Sequence, residues 1–118
     1  MDPRRALGVG GEELVAGWYE SRGYGVIDRN WRCADGEIDL VIRGPGVLVF
    51  CEVKTRTSKT FGVPAEAVTA AKARRIRRLA AQWLSARRMR APEVRFDVAS
   101  VLARRDRQPE VDVIEAAF

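Results

Sequence analysis

Gly36-Glu37-Ile38-Asp39-Leu40-Val41-Ile42-Arg43-Gly44-Pro45-Gly46-Val47-Leu48-Val49-Phe50-Cys51-Glu52-Val53-Lys54 is the stretch on which the reading of this chain turns. Its two β-rich runs, 37–43 and 47–54, flank Gly44-Pro45-Gly46, which is turn chemistry, so together they read as a β-hairpin. The two-residue period of a strand puts Glu37, Asp39 and Val41 on one face of the first strand. It puts Leu48, Phe50, Glu52 and Lys54 on one face of the second. A turn of two residues (Pro45-Gly46) or of four (44–47) sets Asp39 opposite Glu52 and Glu37 opposite Lys54. A three-residue loop sends Asp39 to the other face instead. Pro-Gly is not the favoured two-residue hairpin turn, so the turn type stays open, while the chemistry argued below requires an even-numbered loop.

Working outward, the apolar residues Leu14, Val15, Trp18 and Tyr19 recur at three- and four-residue spacing between Gly11 and Ser21, and Gly23 follows as a stop. This predicts an amphipathic helix. Within it Glu12 falls beside Val15 and Tyr19, facing inward, and Glu13 faces water. Residues 1–8 are polar and read as a flexible tail. A short strand is expected over Tyr24–Arg29. After the hairpin, residues 55–68 hold Gly62 and Pro64 and read as an irregular loop. Thr69 looks like the N-cap of a helix reaching about Arg87, with Ala73, Ile76, Leu79, Ala80, Trp83 and Leu84 as its apolar stripe. Lys72 sits near the centre of that stripe and needs a partner or an opening to solvent. Arg74, Arg75, Arg77 and Arg78 lie on the flanks and outer side. Val94–Leu102 and Val111–Ala117 read as strands. The order α, β, β, β, α, β, β, with no repeats or interdomain linkers, predicts a single α/β domain over residues 9–118. Its architecture is a mixed central sheet flanked by helices.

Composition narrows the chemistry. The 118 residues carry 21 Lys plus Arg against 16 Asp plus Glu, a net charge of +5, and are 47% hydrophobic and 31% charged, the balance of a globular domain. The longest apolar run, Val47 to Cys51, is far short of the ~20 residues of a bilayer span, and Met1-Asp2-Pro3-Arg4-Arg5 does not lead into a signal segment. No membrane association is expected. Cys33 and Cys51 are too few for a disulfide framework, which makes a reducing cytoplasm the expected compartment. The absence of histidine excludes Ser-His and Cys-His catalysis and His-ligated zinc. Any metal must be held by oxygen, which suits hard cations and phosphate chemistry.

Asp39 and Glu52-Val53-Lys54 on adjacent strands, with Glu12 from the first helix, form the candidate site. Two carboxylates ~4 Å apart repel by roughly 4 kcal/mol at an effective dielectric of 20, a conflict that a divalent cation removes. Such a cation can engage a phosphodiester oxygen and a water molecule. Lys54, on the face of Glu52, is placed to orient or deprotonate that water or to offset developing charge. A lysine suits this better than an arginine, whose pKa is too high for proton transfer.

Asp39 followed by Glu52-x-Lys54 resembles the PD-(D/E)xK nuclease signature. Gly36-Glu37-Ile38-Asp39-Leu40 with Val49-Phe50-Cys51-Glu52-Val53-Lys54-Thr55-Arg56 is similar to the bacterial YraN-like family of endonuclease-like proteins. Gly11-Glu12, Gly23-Tyr24, Asn30-Trp31-Arg32, Phe61-Gly62-x-Pro64, Lys72, Arg95-Phe96-Asp97-Val98 and Ala117-Phe118 also match. The resemblance covers residues 9–118. It implies a restriction-endonuclease-like core akin to archaeal Holliday junction resolvases, in which Glu12, Asp39 and Glu52 bind Mg2+ or Mn2+ and Lys54 assists. The proline that names the motif is absent before Asp39, where Ile38 stands.

Simpler readings stand beside this one. The acids and Lys54 can instead form a cross-strand salt bridge on a solvated sheet face, worth ~0.2–1 kcal/mol. Glu12 can be a first-turn acid favoured by the helix dipole. Glu37, Arg56 and Lys72 read either as solvated side chains or as supports and substrate contacts around the site. Cys33 reads as an inert thiol, and Trp18 and Trp83 as core. Arg74, Arg75, Arg77 and Arg78 offer a positive surface that can follow a nucleic-acid backbone, by charge and shape before sequence. The expectation is a Mg2+- or Mn2+-dependent endonuclease acting on DNA, more than on RNA, with branched or flapped repair intermediates as candidate substrates. A non-catalytic nucleic-acid-binding module of the same fold is the alternative, and a basic protein-interaction domain a third. Resolvase-like cutting implies a homodimer, since two symmetric nicks need two sites.

Overall fold

The hairpin closes on the two-residue turn Pro45-Gly46. Gly44 pairs with Val47 and Leu40 with Cys51, and Gly46 takes the left-handed φ of 69° that a tight turn needs. This is the even-numbered loop that the site requires. The computed structural model describes residues 3–57, 68–103 and 106–118, with side chains from residue 10 onward. Its elements are α1 (Pro3–Glu20), β1 (Gly25–Cys33), β2 (Gly36–Gly44), β3 (Val47–Arg56), α2 (Ala70–Arg87), β4 (Glu93–Leu102) and β5 (Glu110–Ile114).

The strands form one sheet in the order β1-β2-β3-β4-β5. The pairings β1–β2, β2–β3 and β4–β5 are antiparallel, whereas β3 and β4, joined through α2, run parallel. Parallel neighbours require such a crossover. The helices cover opposite sheet faces, because the strand period sorts the side chains into two layers. Val15 and Tyr19 of α1 pack on Leu40, Ile42, Val49, Cys51, Ala99 and Val101. On the other face, Leu79, Ala80 and Trp83 of α2 pack on Ile38, Val41, Leu48 and Phe50. A five-stranded mixed sheet flanked by two helices is compatible with a restriction-endonuclease-like fold. No described helix is long and apolar enough to cross a membrane.

Several elements differ from the sequence pattern. α1 begins at Pro3, ahead of the expected Gly11 start. Leu14, counted in its apolar stripe, is 40% exposed, and Ala16 is buried in its place, because a small residue fits where the helix lies against the sheet. β1 continues to Cys33 through Asn30, whose φ is 48°. β5 ends at Ile114 rather than Ala117. The chain bends at Ala116, φ 50°, and Ala117 then donates a backbone hydrogen bond of 2.8 Å to the Phe96 carbonyl. For α2 the expectation holds closely: Thr69 caps it by accepting from the Lys72 N–H at 3.1 Å, and the helix ends at Arg87. Trp83 is fully buried and donates to Asp28 at 2.7 Å. Trp18 is half-buried, with the Arg22 guanidinium 3.7 Å above its ring. Both cysteines are free, and burial pushes the Cys51 thiol pKa up. Lys59 and the Phe61-Gly62-x-Pro64 segment, with most of the predicted loop, lie outside the described residues.

One polar network crosses the α1 layer. Asp97 of β4 has no solvent exposure. It accepts from the Tyr19 hydroxyl at 2.5 Å, from Arg95 at 2.9 and 3.0 Å, and from the Ala116 N–H at 3.0 Å. The carboxylate raises the Arg95 pKa, and burial above all raises that of Tyr19. One side chain thereby ties α1, β4 and the final residues together.

Candidate active site

The β2–β3 ladder runs from Gly44 and Val47 to Leu40 and Cys51. Just beyond it, Asp39 Oδ2 accepts the Val53 backbone N–H at 2.8 Å, a side chain serving where a ladder carbonyl would otherwise stand. α1 reaches this point through Gly11. A Cβ there would meet Thr55 Oγ1 of β3 at 2.1 Å, so only glycine allows the helix backbone to come so close. Glu12, the next residue, is thereby brought over the end of β2. Glu12, Glu37 and Asp39 each present a carboxylate oxygen, and these three atoms all lie within 4.8 Å of one another.

The electrostatics of this cluster are unfavourable when all three acids are ionised. Burial pushes the Asp39 pKa up to about 6, and the nearby charges of Glu12, Glu52 and Glu37 add to the rise against the Val53 hydrogen bond. Glu12 is raised too, mainly by burial and also by Glu37, while the polar Asn30 side chain nearby and the charge of Arg29 oppose the shift. Glu37 is exposed and accepts from Arg32 Nε at 3.1 Å.

Glu52 and Lys54 border the same region from β3. Glu52 Oε1 lies 3.1 Å from Lys54 Nζ. Its other oxygen, Oε2, is buried with no hydrogen-bond partner among the described residues. A cleft of about 390 Å³ opens here, and Glu37, Asp39, Glu52, Lys54, Arg75 and Ile76 are among its walls. The structure therefore brings Glu12 and Asp39 together as expected, but the third acid within 4.8 Å is Glu37. Glu52 borders the cleft and acts on Asp39 through its charge, outside that close set. The sequence pattern set Glu37 opposite Lys54 and left it as either a solvated strand residue or a support beside the site.

The remaining candidates fall around this centre. Lys72 is half-buried in the first turn of α2, and Arg56 half-buried at the end of β3. Arg74, Arg75, Arg77 and Arg78 are all exposed. Arg75 lines the cleft, whereas the Arg77 guanidinium lies 5.5 Å from the ring centres of both Phe96 and Phe118. Sequence reasoning gave no role to Asn30, which lies just past the expected end of the first strand at Arg29, although asparagine is among the residues that tolerate left-handed backbone.

Residues 11–101 match the model of the uncharacterised protein family UPF0102. The chain belongs to the UPF0102 family. This is the family to which the YraN-like resemblance pointed. Among its relatives, the UPF0102 protein of Beutenbergia cavernae is 52% identical over 105 residues, 89% of each chain. That of Nocardia farcinica is 46% identical over 115 residues, 98% of this chain and 91% of its own. That of Frankia casuarinae is 46% identical over the full length of both. All five residues around the carboxylate cluster and cleft, Glu12, Glu37, Asp39, Glu52 and Lys54, lie within the matched UPF0102 span.

Proposed function

We propose that this UPF0102 protein is a metal-dependent endonuclease that hydrolyses DNA phosphodiester bonds. The observation that carries the reading is the convergence of Glu12, Glu37 and Asp39 from two elements at the edge of a cleft that also holds Glu52 and Lys54. The donors fit a hard divalent cation: all are oxygens, two of the acids have raised pKa values, and Glu52 Oε2 is buried without a partner. Glu12, Asp39 and Glu37 would hold Mg2+ or Mn2+, with Glu52 at its flank. The ion's contribution is to lower the pKa of water and to offset charge on the phosphate.

This chain's own groups supply the rest. Lys54, held by Glu52, presents an ammonium to the cleft, where it orients the attacking water and faces the negative charge that builds on the phosphate. Arg75 on the opposite wall engages the substrate backbone. Arg74, Arg77 and Arg78 continue that positive surface along α2, and binding by such a surface weakens steeply with salt. Backbone and shape contacts suit branched or flapped DNA, and paired cuts in a junction would engage two copies of the chain.

Calorimetric titration with Mn2+ and cleavage of labelled junction, flap and single-stranded DNA test this reading. Binding and cutting are expected, and Glu52→Ala is expected to abolish cutting. One observation favours a second reading, a binding module that does not cut: Lys54 and Glu52 already partner each other. Intact substrates with persistent gel shifts would replace the first reading by the second.

A further inference from the structure

Three phenylalanine rings stack on the α2 side of the sheet, and the stack leads out from the cleft. Phe50 of β3 is buried and is one of the cleft walls. Phe96, its neighbour on β4, stacks on it with ring centres 5.9 Å and planes 27° apart. Phe118 stacks in turn on Phe96, at 5.3 Å and 21°. Phe50 and Phe96 belong to the layer under α2, whereas Phe118 lies outside that cluster and is half-buried. Its place is nonetheless fixed. The left-handed residue Ala116 turns the chain onto β4, where the Ala116 N–H donates to Asp97 at 3.0 Å and the Ala117 N–H to the Phe96 carbonyl at 2.8 Å. The Arg77 guanidinium stands 5.5 Å from the centres of both outer rings. These separations nearly equal that between the two rings, so Arg77 sits beside the pair and not beyond Phe118.

We propose that Phe118 is a stacking platform for an unpaired nucleobase, with Arg77 placed for the adjoining phosphate. This rests on the nuclease reading above and narrows its substrate to DNA with a single-stranded segment, such as a flap, beside the cleft. An aromatic face takes any base, but only one that is free of its duplex neighbours. Because Phe118 is already held by the backbone on both sides of its turn, little ordering remains to be done on binding. Charge selects this occupant over a second copy of the chain. α2 carries Lys72, Arg74, Arg75, Arg77, Arg78 and Arg87 and no acid, so another copy would bring the same positive helix, whereas a nucleic-acid strand brings phosphates. Arg75 and Arg77 flank the buried face of α2, the first toward the cleft and the second toward β4, so positive charge borders both ends of the stack.

Fluorescence anisotropy in EDTA, where nothing is cut, tests the platform with two labelled probes: oligo-dT and an abasic strand of the same length, which has the phosphates without the bases. Wild-type protein is expected to bind oligo-dT about tenfold more tightly than the abasic strand. Phe118→Leu, which keeps an apolar side chain on Phe96, should lose that preference and bind the abasic strand as wild type does. Phe118→Trp should keep it. Arg77→Ala should weaken both probes and flatten the dependence of log affinity on log salt by about 0.7. Equal binding of the two probes by wild type would overturn the platform and leave the nuclease reading to Mn2+-dependent cutting. A preference that survives in Phe118→Leu would overturn it too, by placing the stacking on another ring. Loss of both probes by Phe118→Leu, together with a lower melting temperature, would make Phe118 structural only. Binding of neither probe by wild type would overturn the platform and the positive surface along α2 together.

Discussion

Asp97 and Asp39 are the same residue type in neighbouring parts of one sheet, and their surroundings are opposite. Asp97 is fully enclosed, yet four hydrogen bonds reach it, two of them from the Arg95 guanidinium and one from the Tyr19 hydroxyl. Asp39 is only partly buried and, among the described residues, receives the single N–H of Val53, while Glu12, Glu37 and Glu52 all press charge upon it. Burial alone therefore does not decide what a carboxylate does. The count and sign of its neighbours do. A saturated acid holds elements together, whereas an under-compensated one keeps its proton more readily.

The largest expected effect lies on the saturated side. Asp97→Ala leaves the Arg95 guanidinium beside an emptied buried site, and should cost about 3–5 kcal/mol of stability in urea unfolding. A loss below about 1 kcal/mol would mean the network contributes little, and the contrast would fail. Next comes the response to metal. Wild-type protein should gain about 2.7 kcal/mol when Mn2+ is present at a hundred times its dissociation constant, and Asp39→Ala should gain almost nothing. Equal gains in both would put the binding elsewhere.

A smaller effect, opposite in sign to the first, concerns pH in EDTA. The folded-state pKa of Asp39, about 6, stands above its ordinary value of 3.8. The folded state thus holds this proton more tightly than the unfolded chain. The associated stability is fully present below about pH 4 and is lost as pH rises through 6. Asp39→Asn keeps an acceptor for the Val53 N–H and removes the charge. It should stabilise the metal-free protein at pH 8, on the order of 2 kcal/mol, and make almost no difference at pH 4. Thermal melts at the two pH values check this, and a variant less stable than wild type at pH 8 would show that the carboxylate is not under strain.

Those two centres were unequally legible in the sequence. Where local chemistry dominates, the pattern sufficed: the Thr69 cap and the stripe Ala73, Ile76, Leu79, Ala80 and Trp83 give α2 almost residue by residue. The hairpin also followed, up to the turn length on which the position of Asp39 depends. Strict alternation was the assumption that failed at the site. It set Asp39 against Glu52, but the ladder ends one residue earlier and Asp39 turns to the Val53 backbone, so Glu37 and Glu12 become its close companions. The first strand was likewise expected to stop at Arg29, whereas β1 runs on through the left-handed residue Asn30 to Cys33. Asp97 was invisible for another reason: its donors come from residues 19, 95 and 116, and no local window contains them all.

Tyr19 offers the finest separation of the two centres, because it shares α1 with Glu12. Tyr19→Phe removes one of the donors to Asp97 and leaves Arg95 and the Ala116 N–H in place. The expected loss is about 1.5 kcal/mol, at the low end for a hydrogen bond to a charged group, since the ring still fills its place in the core. Mn2+ affinity should stay within about twofold of wild type, because the approach of α1 to β3 is set at Gly11 and Thr55, two helical turns before Tyr19. Calorimetry on Tyr19→Phe decides the matter. A tenfold loss of affinity would mean that the network sets the pitch of α1 and with it the position of Glu12, and the two carboxylate centres would then be one coupled unit.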